Sequence, residues 1–334
     1  MGVFNLFKTR ETLLLVLIVI LSIVITSINP SFMTFDNITG LLKTWTVLGI
    51  FALGVMLVLL SGGFDVSFTA IAQVVQYVVV FWFIQAGLDN IWLAIACSLI
   101  LGALMGLLNG VLIYYFKITA IIVTIATNSL FYGTLYVVTQ GNLIYDIPPS
   151  LLQLAEIKIF PMQAANGAWY GLSLVTCLWF MLAIFLHFFL KNTVLGRSIF
   201  AVGGNALSAE RVGFNLRRTT LFIYTFVGAV SGFASLIQVS IVQTVIPNSI
   251  VGSELQVIAA VVLGGASVTG GRGSVLGTLL GVLLFAILSN SLTLLKVSPY
   301  YYNMFTGLVI LVSITLNALQ IRRQKRAQVR VVVE

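Results

Sequence analysis

Ten apolar runs, near residues 12–28, 44–60, 67–85, 91–116, 118–139, 169–190, 219–241, 255–268, 274–295 and 299–319, fill most of this chain. About 20 apolar residues are what a helix needs to cross a bilayer, and backbone in hydrocarbon has to satisfy its own hydrogen bonds. The runs lack the strict two-residue alternation of a barrel strand, so they predict helices. Only 8% of the 334 residues are charged while 60% are hydrophobic, where an ordinary soluble domain is about a quarter charged. The expected fold is therefore all-α: one polytopic helical membrane domain over 1–334, about ten spans, with both ends on the same side. Runs 67–85 and 255–268 are the least regular, because the Gly-rich stretches 61–66 and 264–274 beside them suit broken helices or re-entrant turns. The first run ends in ITSINPSF with no small-residue cleavage site, so it reads as a retained span rather than a secretory signal.

The net charge is +8, and the positions of the basic residues explain it without nucleic acid. With Lys8 and Arg10 cytoplasmic, ten spans also bring inside Lys117, Lys191, Arg197, Arg211, Arg217, Arg218, Arg272 and the tail residues Arg322, Arg323, Lys325, Arg326 and Arg330. That is 14 of the 17 Lys and Arg; only Lys43, Lys158 and Lys296 fall outside. A shift by one span would scramble this asymmetry, which is the usual mark of orientation in a membrane. The tail, 320–334, reads as an orientation signal and a contact for anionic membrane lipid. Cys97 and Cys177 both fall inside runs, where they read as small apolar packers.

Two polar segments interrupt the runs. The stretch 140–168, with Pro148, Pro149 and Pro161, is the long outward (periplasmic) loop; its LLQL and IKIF patches predict a short helix and a strand. Five runs lie on either side of it, which invites two inverted five-helix halves. The stretch 191–218 is the long cytoplasmic loop. In it, Gly203 and Gly204 read as flexible, Asn205 as an N-cap, and ALSAER as a short helix stopped by Gly213, following ordinary capping preferences. Gly102, Gly106 and Gly110, and again Gly273, Gly277 and Gly281, recur at helical spacing and predict close helix packing.

Catalytic patterns are missing. The glycine cluster GGASVTGGRGSVLG at 264–277 lacks the lysine of a phosphate-binding loop, and no G-x-x-x-x-G-K-[ST] or H-E-x-x-H occurs. His187 has no evident partner, and SGG at 61–63 reads as a turn before it reads as a nucleophile. An intramembrane enzyme is thereby disfavoured. Ion-coupled transporters carry ionisable groups deep in the bundle; here Asp65, Glu254 and Arg272 sit at predicted span ends. Uncharged polar residues remain: Gln73 and Gln76, Thr124 and Asn128, Asn303 and Thr306. They suit either a passage for a hydroxyl-rich neutral solute or interhelical hydrogen bonds.

These residues, taken in order, resemble a family. NPSF (29–32), LSGGFDVS (60–67), GLLNGVLIYYFKITAIIVTIAT (106–127), GRSIFAVGGNALSAERVGFNL (196–216), VIAAVVLGGASVTGGRGSVLGTLLG (257–281) and YYYNMFTGLVILV (300–312) are similar to bacterial sugar permeases of the ribose, xylose and galactose type of ABC importer, the autoinducer-2 permeases included. The resemblance implies an inner-membrane permease that pairs with a second, identical or paralogous, permease chain. It also implies a cytoplasmic ABC ATPase, which carries the ATP and Mg, and a periplasmic sugar-binding protein; no cofactor is implied in this chain. It implies that Gly203, Gly204, Asn205, Ser208, Glu210, Arg211 and Gly213 couple to the ATPase. Phe64, Asp65, Gln73, Gln76, Thr124, Asn128 and Asn303 are the candidates for a gate or pathway. Two departures stand out: Thr119 and Ala120 where the family commonly has a proline, and Phe68 and Thr69 where it often has a glycine. The function so implied is import of a monosaccharide or similar polyol; the alternative is an ion-coupled secondary transporter of a small neutral solute.

Overall fold

In a computed structural model of the chain, residues 10–163, 167, 169–298 and positions 300–302, 304, 307, 308, 311 and 315 are described. Among them, eight helices are long and apolar enough to cross a membrane: α1 Arg10–Ile28, α2 Phe35–Leu60, α3 Phe68–Gln85, α4 Ile91–Phe116, α5 Ala120–Thr139, α7 Leu174–Asn192, α10 Leu216–Val242 and α12 Val275–Leu294. Between them lie α6 Pro149–Leu154, strands β1 Lys158–Gln163 and β2 Trp169–Ser173, α8 Val194–Gly204, α9 Ala206–Arg211 and α11 Glu254–Leu263.

One of the ten expected spans is corrected. Run 255–268 is the helix α11 of 10 residues, about 15 Å long, or half of a hydrocarbon core of roughly 30 Å. Run 299–319 falls mostly outside the described residues. A smaller correction concerns run 169–190. Its first five residues form β2, antiparallel to β1, because an isolated strand would leave its backbone groups unpaired, and α7 starts only at Leu174.

Burial separates a central set from a peripheral one. In their most apolar stretches α2 is 72% buried and α3, α10 and α12 are each 61% buried, whereas α1, α4, α5 and α7 lie between 11% and 33%. The tightest seam joins the two sets. A Cβ at Gly102 would stand 2.2 Å from the Gly228 carbonyl oxygen, and one at Gly228 would stand 2.1 Å from that of Gly102. Gly106 and Gly110 meet Tyr224 and Leu221 in the same antiparallel register. Lipid offers no hydrophobic drive between helices, so close backbone approach supplies the attraction. Gly277 and Gly281 of α12 do the same against Gly264 and Ala260 of α11. Both glycine stripes are spent inside one subunit.

The centre has an inverted pattern. Helix α2 runs antiparallel to α10, with Gly54 beside Val227 and Gly63 beside Tyr224. Each is followed by a non-helical stretch, 61–67 or 243–253, that leads back into a helix, α3 or α11. The first turns of these two helices meet, since the Thr69 hydroxyl donates to the Glu254 carboxylate. Glu254 also accepts the Gly252 N–H at 2.8 Å.

One end of the bundle gathers the basic residues. Lys117 follows α4, Lys191 closes α7, Arg217 lies 5.2 Å from the Tyr115 ring at the end of α4, and Arg272 lies beside Gly271, whose N–H reaches Leu60. The opposite end is covered by residues 140–163 and 169–173. There Ile144 bridges Val245, Leu151 is fully buried, and the Ala155 N–H donates to Ser240 Oγ at 2.7 Å.

Candidate coupling and translocation sites

The basic face carries a compact unit whose every helix start is capped. Thr193 Oγ1 accepts the Gly196 N–H at 2.9 Å to begin α8, Asn205 Oδ1 accepts the Ser208 N–H at 2.9 Å to begin α9, and Asn215 Oδ1 accepts the Arg218 N–H at 2.8 Å to begin α10. Each cap satisfies an otherwise orphan donor and is worth about 1 kcal/mol. Helix α9 ends with the Phe214 N–H on Ala209 O and the Gly213 N–H on Glu210 O, with Gly213 at φ +92°. Those paired bonds form a Schellman stop, which places a glycine in the left-handed position.

Of α9's residues only Ala209 is buried; Asn205, Ser208, Glu210, Arg211 and Gly213 are exposed. So are Leu207, 69% exposed, and Val212, 74% exposed. These two apolar side chains were not singled out from the sequence, where each looks like one more aliphatic residue in an aliphatic chain. They are the part of α9 that gains most from a covering partner. The two glycines before α9 differ from expectation and from each other. Both belong to the last turn of α8; Gly204 has open space around it, but Gly203 is wedged between backbones, 1.8 Å from its Cβ position to Leu60 O. Only Gly204 has the room that flexibility requires.

The pathway candidates cluster around the re-entrant stretches. Asp65, 2% exposed, accepts the Ser67 N–H and hydroxyl, both at 2.7 Å, and Ser67 Oγ in turn accepts from Asn109 Nδ2 at 2.8 Å. Thr124 donates to Phe64 O at 3.2 Å. Thus α4 and α5 both hold the 61–67 stretch, through Asn109 and Thr124. Asp65 and Glu254 are buried inside the bundle, because the 61–67 stretch that bears Asp65 and the start of α11 that bears Glu254 both lie within it. Arg272 is exposed.

Gln73 has both ends of its amide occupied: Nε2 donates to Ile246 O, and Oε1 accepts the Ile250 N–H at 3.1 Å. It is a tie between α3 and the 243–253 stretch. Gln76 Nε2, Asn109 Oδ1 and Asn128 Oδ1, by contrast, are buried with no hydrogen-bond partner among the described residues. A buried amide atom without a partner costs about 1–3 kcal/mol, so each of the three marks a polar point inside the apolar bundle. Asn109 was missed in the sequence because it stands between glycines in GLLNGVL and has no polar neighbour at helical spacing. Asn303 lies outside the described residues. The departure at Phe68 and Thr69 has physical uses: Phe68 packs on Phe51 with ring centroids 5.2 Å apart, and Thr69 supplies the bond to Glu254.

An open cleft of about 810 Å³ flanks the base of α10, lined by Arg217, Arg218, Phe222 and Phe226 among others. Its lining includes none of Gln76, Asn109 and Asn128. Among the described residues no group of three or more His, Cys, Asp or Glu could hold a metal ion.

A multi-pass helical bundle with a capped, exposed helical unit on its basic face and broken helices at its centre is a membrane permease. Residues 37–314 match the family described as branched-chain amino acid transport system / permease component, and the chain belongs to that family. It is 34% identical over 303 residues to the ribose import permease protein RbsC of Haemophilus influenzae, covering 89% of this chain and 90% of that one. It is 35% identical over 298 residues to RbsC of Bacillus subtilis, covering 89% of each. With the L-arabinose transport system permease protein AraH of Escherichia coli it shares 32% identity over 302 residues, 90% of this chain and 88% of that one. No solved structure matches.

Proposed function

We propose that this chain is the membrane-spanning permease of an ATP-driven importer for a monosaccharide or similar polyol, set in the inner membrane with the basic face and both termini in the cytoplasm. The sorting of basic residues to one end supports that orientation. The single observation that carries the reading is α9: a helix capped at both ends, exposing Leu207, Ser208, Glu210, Arg211 and Val212 while anchored through Ala209. It docks into a cytoplasmic ATPase, which binds ATP and Mg. Its rigid body carries the nucleotide-driven movement back into the bundle. A periplasmic sugar-binding protein delivers solute to the opposite face, and a second permease chain completes the passage.

Gln76, Asn109 and Asn128, each with one buried amide atom lacking a partner among the described residues, are the solute contacts of the open passage, with Phe64 and Thr124 beside it and Asp65 bracing it; Asn303 is a candidate contact from the sequence alone. Amide donors and acceptors suit a neutral hydroxyl-rich molecule. The likeness to ribose and arabinose permeases over about nine-tenths of the chain supports the same class. Anionic lipid flanks the basic face, at Arg217 and Arg218 and through the tail beyond 320.

Replacing Glu210 and Arg211 together by alanine, with the protein still inserted, tests the reading. The expected result is loss of ATPase co-purification and of uptake; retention of both rejects the coupling role. Purified chain reconstituted without partners is expected to take up no sugar under a proton or sodium gradient.

A further inference from the structure

Three stretches far apart in the sequence touch just behind α9 with no side chain between them. A Cβ at Gly203 would lie 1.8 Å from Leu60 O and 2.7 Å from Gly271 N; one at Gly270 would lie 2.5 Å from Gly203 O and 2.8 Å from Gly62 Cα. One at Gly271 would lie 3.0 Å from Gly204 Cα. The Gly271 N–H donates to Leu60 O at 2.8 Å, which ties the end of α2 to the turn between α11 and α12. Gly62, Gly270 and Gly271 have φ of +79°, +85° and +72°, conformations that glycine alone adopts without strain.

We infer that this glycine junction of Gly62, Gly203, Gly270 and Gly271 is the transmission contact of the permease, through which displacement of the α8–α9 unit moves both interrupted regions of the bundle at once. The inference rests on the coupling role proposed for α9. Contacts between side chains absorb a small shift by changing rotamer, whereas close-packed backbone passes it on. From Leu60 and Gly62 the shift reaches the 61–67 stretch, which Asn109 and Thr124 hold to α4 and α5. From Gly270 and Gly271 it reaches α11 and α12, locked together through Gly264, Gly277 and Gly281. The Thr69–Glu254 bond joins α3 to α11 through side chains. One push therefore moves the stretches on both sides of α3 at once, and the side-chain ties to α3 are what can exchange in response.

Gly203 and Gly204 are adjacent in the same helical turn and both touch Gly271, yet only at Gly203 would an added Cβ enter the junction, so the pair forms an internal control. Gly203→Ala and Gly204→Ala are compared in the assembled transporter with its ATPase and binding protein. Uptake is read per unit of co-purified ATPase activity, so that any docking role of either glycine cancels, and in that ratio Gly204→Ala, whose Cβ enters open space, is expected to match wild type. Gly203→Ala is expected to lose about tenfold or more of the same ratio, the scale of an overpacked contact. Equal uptake by the two variants, with the ATPase bound, overturns the junction. Loss of the ATPase from Gly203→Ala also overturns it, since the residue would then act in docking. Failure of the docking role itself is read separately, from the Glu210 and Arg211 replacement.

If Gly203→Ala does not insert, spin labels at positions 204 and 268, in a background lacking Cys97 and Cys177, decide the matter. Their separation is expected to stay fixed between nucleotide-free and ATP-bound states while both move relative to a label at 117. A separation that changes with ATP overturns the inference.

Discussion

On the basic face, where Leu60, Gly62, Gly203 and Gly270 meet, backbone touches backbone. Across the re-entrant core, the 243–253 stretch is held to α3 by side chains instead: Gln73 to Ile246 and Ile250, and Thr69 to Glu254. Backbone contacts cannot be loosened without moving whole helices, while a side-chain hydrogen bond is worth about 1 kcal/mol net and is exchanged readily for water or solute hydroxyls. The contrast teaches a division of labour: a rigid side that conveys movement and a switchable side that opens in response.

The harshest way to break this comparison is to put volume into a backbone seam. Gly228→Val would drive three heavy atoms into the Gly102 carbonyl and the Gly106 backbone, already 2.1 and 2.8 Å from a single Cβ. The expected cost is about 3 kcal/mol or more, and the folded yield after detergent extraction should fall to a small fraction of wild type. A variant recovered in normal amounts would mean that α4 and α10 slide freely, and that close backbone contact is not rigid here.

Next in size is Gln73→Leu, which removes the tie and strands the Ile250 N–H and the Ile246 carbonyl. The fold should survive with a loss of about 1–3 kcal/mol, and a cysteine placed at the exposed Ser249 should react several-fold faster with a water-soluble maleimide. Thr69→Val removes one of the two bonds to Glu254 and leaves the Gly252 N–H in place. Its effect should be smaller, about 1 kcal/mol, seen as a lower melting temperature in detergent. If Thr69→Val proved more damaging than Gln73→Leu, the meeting of the α3 and α11 first turns would belong with the rigid side.

Much of this was legible in the chain itself, for reasons that differ by element. The α9 helix was readable because its signals are local: Asn205 at the start, Gly213 at the stop, and the good helix formers Ala206, Leu207, Ala209, Glu210 and Arg211 between. The short helix and strand of 140–168 were readable for the same reason. Run 255–268 misled because apolar composition reports lipid or core without telling which; α11 is apolar since it is enclosed by α2 and α12, and its length is cut by Gly264 and Gly265. Gly203 misled for a related reason. A glycine is equally suited to bending and to being touched, and only the position of Leu60, distant in sequence, decides between them. Asn109 and the tie made by Gln73 depend on partners 42 and 173 residues away, beyond the reach of any spacing rule.

The smallest expected effect lies at the outer rim and sharpens the switchable side of the comparison. Asp89, in the turn between α3 and α4, accepts the Ser150 N–H at 2.9 Å where α6 begins. Hydrogen bonding from Ser150 holds the Asp89 carboxyl below the usual carboxylate range. The folded carboxyl is thus the stronger acid, so the contact contributes in full above the unfolded pKa and fades as pH falls through the lowered folded value. Exchange of the Ser150 amide, corrected for its intrinsic rate, should therefore quicken a few-fold between neutral pH and the low end of the carboxylate range. Asp89→Ala should abolish this dependence, with fast exchange at both ends. A profile that stays pH-dependent in the variant would assign the titration to another acid. Asp89 is fully exposed, so solvent screening keeps the change local: α6 loosens over the mouth of the bundle while the backbone junctions beneath it stay closed.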